Sequence, residues 1–219
     1  MPYVPTVDLT VVTDAPLDVA ARVDVELPQR IRLTTSVGWM PRAYLDGLNE
    51  LATASGWWDD TTATLIGATL QDAVVWRTHV GWRPSPKLGF VFGAGYGFAG
   101  LGGSLTGQEI VEAALGASSR ASGEAAVDAA ASVHMLDVTA GWEWTVKRRF
   151  LVRAEVGGAF TVGSAVRLTP STESRFERVT DTIDAVMAEG EAYLEDTMRT
   201  YVHTPTVGVG VGWRFGGED

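Results

Sequence analysis

The chain contains no cysteine. That excludes a disulfide scaffold and thiolate metal or redox sites, and leaves the compartment open. Histidine is scarce, with 3 residues, His79, His134 and His203. No H-E-x-x-H or H-x-H spacing joins them, so no metal-ligand motif and no cofactor motif is present. Lysine occurs only at Lys87 and Lys147; the other basic residues are arginine. A formal charge of −10 over 219 residues leaves no basic field for a phosphate backbone, which excludes a nucleic-acid partner. The opening residues, MPYVPTVDLTVV, lack a basic segment followed by a long apolar core, so no signal peptide is visible. Two readings follow: a cytoplasmic chain, or a mature chain with Met1 as an added start.

A long hydrophobic run is also missing in the form a membrane helix needs. Between Lys87 and Glu109 there is no charge, and Leu88 to Leu105 approaches the ~20 residues of a helical span. Seven of those residues are glycine, each costing a helix up to ~1 kcal/mol relative to alanine. Within the run, Gly95 to Gly100 matches G-x-G-x-x-G. A dinucleotide loop needs a second strand with an acid about 20 residues on, and the alanine-rich surroundings of Asp128 supply none.

Alternation accounts for the run. Leu88, Phe90, Phe92, Ala94, Tyr96 and Phe98 share one parity, while Gly89, Val91, Gly93, Gly95, Gly97 and Ala99 share the other. Successive strand side chains point to opposite faces. The pattern recurs: Val207, Val209, Val211, Trp213 and Phe215 oppose Gly208, Gly210, Gly212 and Arg214, and Leu136, Val138, Trp142 and Trp144 oppose Asp137, Thr139, Gly141 and Glu143. With similar stretches around residues 7–11, 17–27, 31–39, 74–82 and 152–162, eight strands are expected. The turns at Pro28-Gln29, Pro84-Ser85-Pro86 and Lys147-Arg148 are very short. The connections over about 40–70, 101–131 and 169–203 are long, and Thr13 to Pro16 is a short link on the long-loop side.

Short turns at one end and long loops at the other define an up-and-down barrel of even strand number. The arrangement resembles the small eight-stranded outer-membrane β-barrels of the OmpA/OmpX-like class, over nearly the whole chain and by pattern rather than by a diagnostic motif. The resemblance implies an all-β, antiparallel, porin-like transmembrane barrel in a Gram-negative outer membrane, a single domain spanning 1–219 with periplasmic termini and helix-bearing insertions at about 41–69, 101–131 and 169–203. The terminal Trp213-x-Phe215 is similar to the aromatic end of such barrels, although Gly216 to Asp219 extend past it.

The charges decide which face meets lipid. The polar parity carries Asp8, Asp18, Asp24, Glu26, Asp137, Glu143 and Glu155 against Arg22, Arg32, Arg77, Arg83, Arg153 and Arg214, with His79 beside them. This set nearly cancels although the chain as a whole is acidic, as a sealed lumen requires. All six cations are arginine, whose fork pairs well with carboxylates. On the apolar parity, Trp82, Trp142, Trp144, Trp213 and Phe215 fall at the short-turn end and Trp39, Tyr96 and Phe98 at the other, as two membrane-interface rings. A soluble barrel would reverse inside and outside, crowding these aromatics into a lumen that has room for few side chains.

Helical spacing is expected in the loops. Thr106 and Glu109 form a capping box for a helix to Gly116, Ser174 and Glu177 form another for a helix to about Val202, and Tyr44, Leu45, Leu48 and Leu51 mark a third. No catalytic constellation emerges. Ser132 and His134 share a parity near a rim, and Glu143 with Glu155 reads as salt-bridge duty with Arg153. The expected function is a non-enzymatic scaffold with a charge-plugged lumen, partnered by outer-membrane lipid and by a protein at the helical loops. The alternatives are a narrow channel or pocket for a small or hydrophobic solute, and a lipid-modifying enzyme.

Overall fold

The computed structural model describes residues 5–42, 46–47, 50, 53–54, 73–85, 88–106, 126–170, 188, 191–192, 195 and 203–216. Eight strands, β1 (Thr6–Ala15), β2 (Asp18–Glu26), β3 (Ile31–Trp39), β4 (Val74–Trp82), β5 (Phe90–Thr106), β6 (Ala126–Val146), β7 (Phe150–Pro170) and β8 (His203–Phe215), pair in chain order. β8 pairs back onto β1, so the sheet is a closed antiparallel barrel. Among the described residues no helix is long and apolar enough to cross a membrane, which says nothing of a strand barrel.

Register fixes the geometry. Stepping across paired residues from Asp8 through Asp24, Thr34, His79, Gly95, Asp137 and Ala159 reaches Thr204 on β8. Thr204 lies ten residues from Arg214, which stands opposite Asp8. With ~3.3 Å per residue along strands and ~4.8 Å between them, a stagger of ten over eight strands tilts them by about 40°. Each residue then rises about 2.5 Å along the barrel axis. The 9 or 10 residues of β1, β2, β3 and β4 therefore span roughly 25 Å.

The turns are tight where the sequence is polar. Lys147 and Arg148 both have positive φ, 50° and 66°, at the centre of the β6–β7 turn closed by Arg149 N donating to Val146 O at 3.3 Å. Positive φ at both central residues is the primed hairpin turn that matches strand twist. At the opposite end β1 and β2 are joined by Pro16-Leu17 alone.

Three expectations need correction at the strand ends. The first link does not begin at Thr13: β1 runs on to Ala15, and Asp14 is a strand residue. The insertion expected from 101 to 131 is shorter, because Thr106 pairs with Ala126 and the ladder continues unbroken to Phe90 opposite Trp142. Glycine and alanine are weak strand formers by composition, but a partner strand in register overrides propensity. Thr106 is thus a strand residue rather than a helix cap. β6 and β7, at 21 residues each, rise well above the β1–β4 rim.

The remaining residues of the three expected loop helices lie largely outside the described residues. Those described between β3 and β4 (Arg42, Asp46, Gly47, Glu50, Thr53 and Ala54) and between β7 and β8 (Ala188, Glu191, Ala192 and Glu195) are helical.

A bulge went unforeseen. His134 pairs with Gly163 and Met135 with Thr161, leaving Val162 extra on β7. Such an insertion swaps the faces of everything beyond it: Thr161 is buried below the bulge and Val166, of the other parity, above it.

The lumenal ion-pair network as candidate functional site

The strand charges turn inward, while the outer face is predominantly apolar. Arg32 and Arg77 are each 2% exposed, whereas Val11 is 61% and Val80 60% exposed. Among the largest fully buried side chains are Arg32, Arg77, Asp8, Asp18 and Asp24.

The inward-facing side chains fall in three tiers. The lowest, beside the short turns, is centred on Glu143 of β6. Its Oε2 accepts from Arg32 Nη1 at 2.7 Å and Arg153 Nη2 at 2.9 Å; its Oε1 accepts from Arg83 Nη2 at 2.7 Å and Arg214 Nη2 at 2.5 Å. Four guanidiniums from β3, β7, β8 and the end of β4 thus converge on one carboxylate. Asp8 accepts from Arg32 Nη2 at 2.7 Å and from Arg214 Nε and Nη2 at 2.8 and 2.7 Å. Asp24 holds Arg153 at 3.0 Å and accepts from Thr34 Oγ1 at 2.6 Å, and Glu26 lies 3.2 Å from Arg83. The hydrogen bonds among these are charge-assisted, about twice as strong as neutral ones; the Asp24–Arg153 and Glu26–Arg83 contacts are ion pairs.

Above it, Arg22 bridges Glu155 at 2.6 Å and Asp14 at 2.8 Å, and Arg77 pairs with Asp14 and, at 3.3 Å, with Asp18. His79 Nε2 is 3.3 Å from Asp137 Oδ2, yet neither Asp137 oxygen is in a hydrogen bond among the described residues. The third tier is apolar. Leu17, Met40, Ala73, Val75, Ala99, Leu101, Val133, Met135 and Ala159 pack together across the long-loop end of the passage.

All fourteen residues read from the sequence as lumenal lie in this interior; twelve of them are linked through shared ion pairs, and His79 and Asp137 stand beside them as a separate pair. Asp14 was missed, because Pro16 drew the turn boundary too early; the parity of Asp8, Thr10 and Val12 carries directly on to it. Glycine makes the room. A Cβ on Gly38 would overlap the Asp18 carboxylate and the Ala20 side chain. We predict that Gly38→Ala costs roughly 1–3 kcal/mol, as other overpacked cores do, read as a lowered urea midpoint.

The eight aromatics expected at the interfaces all sit on the outer face. Trp39, Trp82, Trp142, Trp144, Trp213 and Phe215 are exposed, and Tyr96 and Phe98 are half-buried. By register, Trp82, Trp142, Trp144, Trp213 and Phe215 share one level with Phe90, whose ring is 4.3 Å from Trp142. Trp39, Tyr96 and Phe98 share another with Trp76, 6.2 Å from Tyr96. The two rings are about 20 Å apart at ~2.5 Å per residue. His134 sits within β6 on the outer face, its Nδ1 2.5 Å from Tyr96 Oη and its ring 5.3 Å from Phe98. Its hydrogen-bond partner is therefore a phenol rather than Ser132.

No protein-family model and no curated protein sequence matches the chain. Solved structures do. The chain is similar to outer-membrane barrels. The N-terminal β-barrel domain of Pseudomonas aeruginosa OprF matches at 10% identity and a TM-score of 0.44, covering 97% of each chain. Acinetobacter baumannii CarO matches at 13% identity and a TM-score of 0.41, over 96% of this chain and 97% of that one. CarO2 of the same organism matches at 14% identity and a TM-score of 0.42, over 98% and 100%. The likeness is one of fold; the chemistry is read from this barrel's own side chains.

Proposed function

We propose that the protein is an integral outer-membrane β-barrel whose lumen is closed by its ion pairs, acting as a scaffold that presents its long connections on one side of the membrane. The observation that carries this reading is the inversion of burial: guanidiniums and carboxylates inside, with a continuous belt of valine, leucine and aromatics outside. Exposed apolar area on this scale is a liability in water and a requirement in hydrocarbon. Two aromatic levels about 20 Å apart fit the girdles that flank such a belt. The short turns and both termini then face the periplasm, and the long, acidic connections with their helical residues face outward. Outer-membrane lipid surrounds the wall, and a protein partner engages the connections.

The lumen supports a plug rather than a conduit. Four guanidiniums and their carboxylates cross it at one level, and an apolar layer closes it at another. Refolded into detergent, the protein is expected to migrate differently on SDS gels before and after boiling. In planar bilayers the inserted barrel is expected to show no steady conductance. A heat-insensitive band overturns the membrane reading, and sustained ohmic steps overturn the plug.

A further inference from the structure

Charge is segregated along the barrel axis. At the short-turn end Arg30 lies in the β2–β3 turn, and Lys147, Arg148 and Arg149 make up the β6–β7 turn, all exposed. The connections at the other end are rich in aspartate and glutamate, and the chain carries a net −10. Among the described residues, the exposed charges of the turns at this end are all basic.

Directly above the β6–β7 turn the outer wall is not flush. Ala140 on β6 and Ala154 on β7 are short side chains set among the larger Phe90, Trp142, Trp144, Val156 and Val209. They leave an apolar depression of about 480 Å³ on the outer face, walled by Trp142 and Trp144 toward the turn and by Val156 and Val209 beyond. By register the depression runs from the turn-end aromatic level to about mid-wall, on the same flank as the basic turn.

We propose that this flank is a binding site for an anionic phospholipid of the turn-side leaflet. The acyl chain lies in the Ala140–Ala154 depression, and the phosphate is held by Lys147, Arg148 and Arg149. Guanidinium forks bind phosphate bidentately, and the ammonium of Lys147 adds a point charge. Trp144 stands between the two, an amphipathic ring at the boundary its chemistry favours. A zwitterionic lipid offers the same chain but brings a cation toward the basic turn. The seat thus comes from the depression and the selectivity from the turn. This inference rests on the membrane reading above.

The turn also supplies a clean test. Lys147 and Arg148 occupy the two positive-φ positions where Asn-Gly is the favoured pair. Lys147→Asn with Arg148→Gly therefore removes two charges while easing the backbone. The full chain is reconstituted into phosphatidylcholine vesicles containing phosphatidylglycerol brominated on its acyl chains, and tryptophan quenching is compared with that by brominated phosphatidylcholine. The wild type is expected to prefer phosphatidylglycerol by about fivefold per engaged basic side chain at low salt, with the preference shrinking as salt is added. The turn variant, which keeps Arg149, is expected to lose most of the preference and to retain at most about fivefold. In native mass spectra from mild detergent, one phosphatidylglycerol is expected to stay with the wild type and to be lost from both the turn variant and Ala154→Leu. Equal quenching by the two lipids in an inserted, heat-modifiable barrel overturns this inference alone, as does a retained lipid that survives both variants. A barrel that does not enter the vesicles overturns the membrane reading as well.

Discussion

Glu143→Ala is expected to be the most damaging single substitution inside the barrel, costing ~3–5 kcal/mol. The carboxylate lies at the meeting point of Arg32, Arg83, Arg153 and Arg214, and its side chain is 1% exposed. Removing it leaves four guanidiniums facing one another. Asp8, Asp24 and Glu26 remain, but each already serves one or two of the same cations. Breaking one partner out of a buried ionic cluster costs far more than the cluster contributes against an apolar equivalent, because the survivors stay desolvated and unpaired. The damage is also long-ranged in sequence, since Arg32 and Glu143 are 111 residues apart. Urea titration of the refolded barrel, followed by the unboiled gel band, measures the loss. Glu155→Ala is the comparison: its side chain is 17% exposed and it is held by Arg22 and Arg153. It is expected to lose about half as much, as the one charged hydrogen bond it accepts, from Arg22, is worth ~1.5–3 kcal/mol and water can reach the gap. A Glu143→Ala barrel within ~1 kcal/mol of the wild type would show that the lower tier is dispensable.

Much of this arrangement is legible in the sequence because a barrel wall is a period-two object. Once Val207, Val209 and Val211 are seen to alternate with Gly208, Gly210 and Gly212, the face of every neighbouring residue follows without tertiary information. The near-cancellation of charge on one parity then identifies the inward-facing side. Pairing within that side is another matter. Nothing local marks Glu143 as the carboxylate shared by four arginines, because its partners come from β3, β4, β7 and β8, and the stagger of ten that brings them level is a property of the closed sheet. The bulge at His134/Met135 is hidden for a related reason: an extra residue among Thr161, Val162 and Gly163 breaks the alternation only when the partner strand is known. The upward extension of β5 and β6 was masked by composition, since Gly102, Gly103, Ala129 and Ala130 form strand through pairing rather than propensity. Asp14 was lost to a proline read one turn too strongly.

The orientation of the wall has its own decisive experiment, with an effect whose size depends on the solvent outside. Val11 on β1 is 61% exposed, flanked on the outer face by Ala21 and Val211, and its level falls between the two aromatic rings. On a sheet facing water, Val11→Arg would change stability by no more than ~0.5 kcal/mol, as exposed substitutions do. In a wall facing hydrocarbon the same change places a guanidinium near the bilayer midplane and is expected to cost ~2–4 kcal/mol. Val146→Arg supplies the depth control. Val146 is 45% exposed at the end of β6, below the turn-side ring, where a cation sits among headgroups and the cost falls to ~0–1 kcal/mol. The contrast between the two positions carries the test, because both replace an exposed strand valine by the same side chain. Folding into lipid vesicles, measured by urea titration, is expected to separate them by ~2 kcal/mol or more. If Val11→Arg and Val146→Arg prove equally harmless, the belt does not meet hydrocarbon. The buried arginines would then be the interior of a barrel whose greasy outside is covered by something other than lipid.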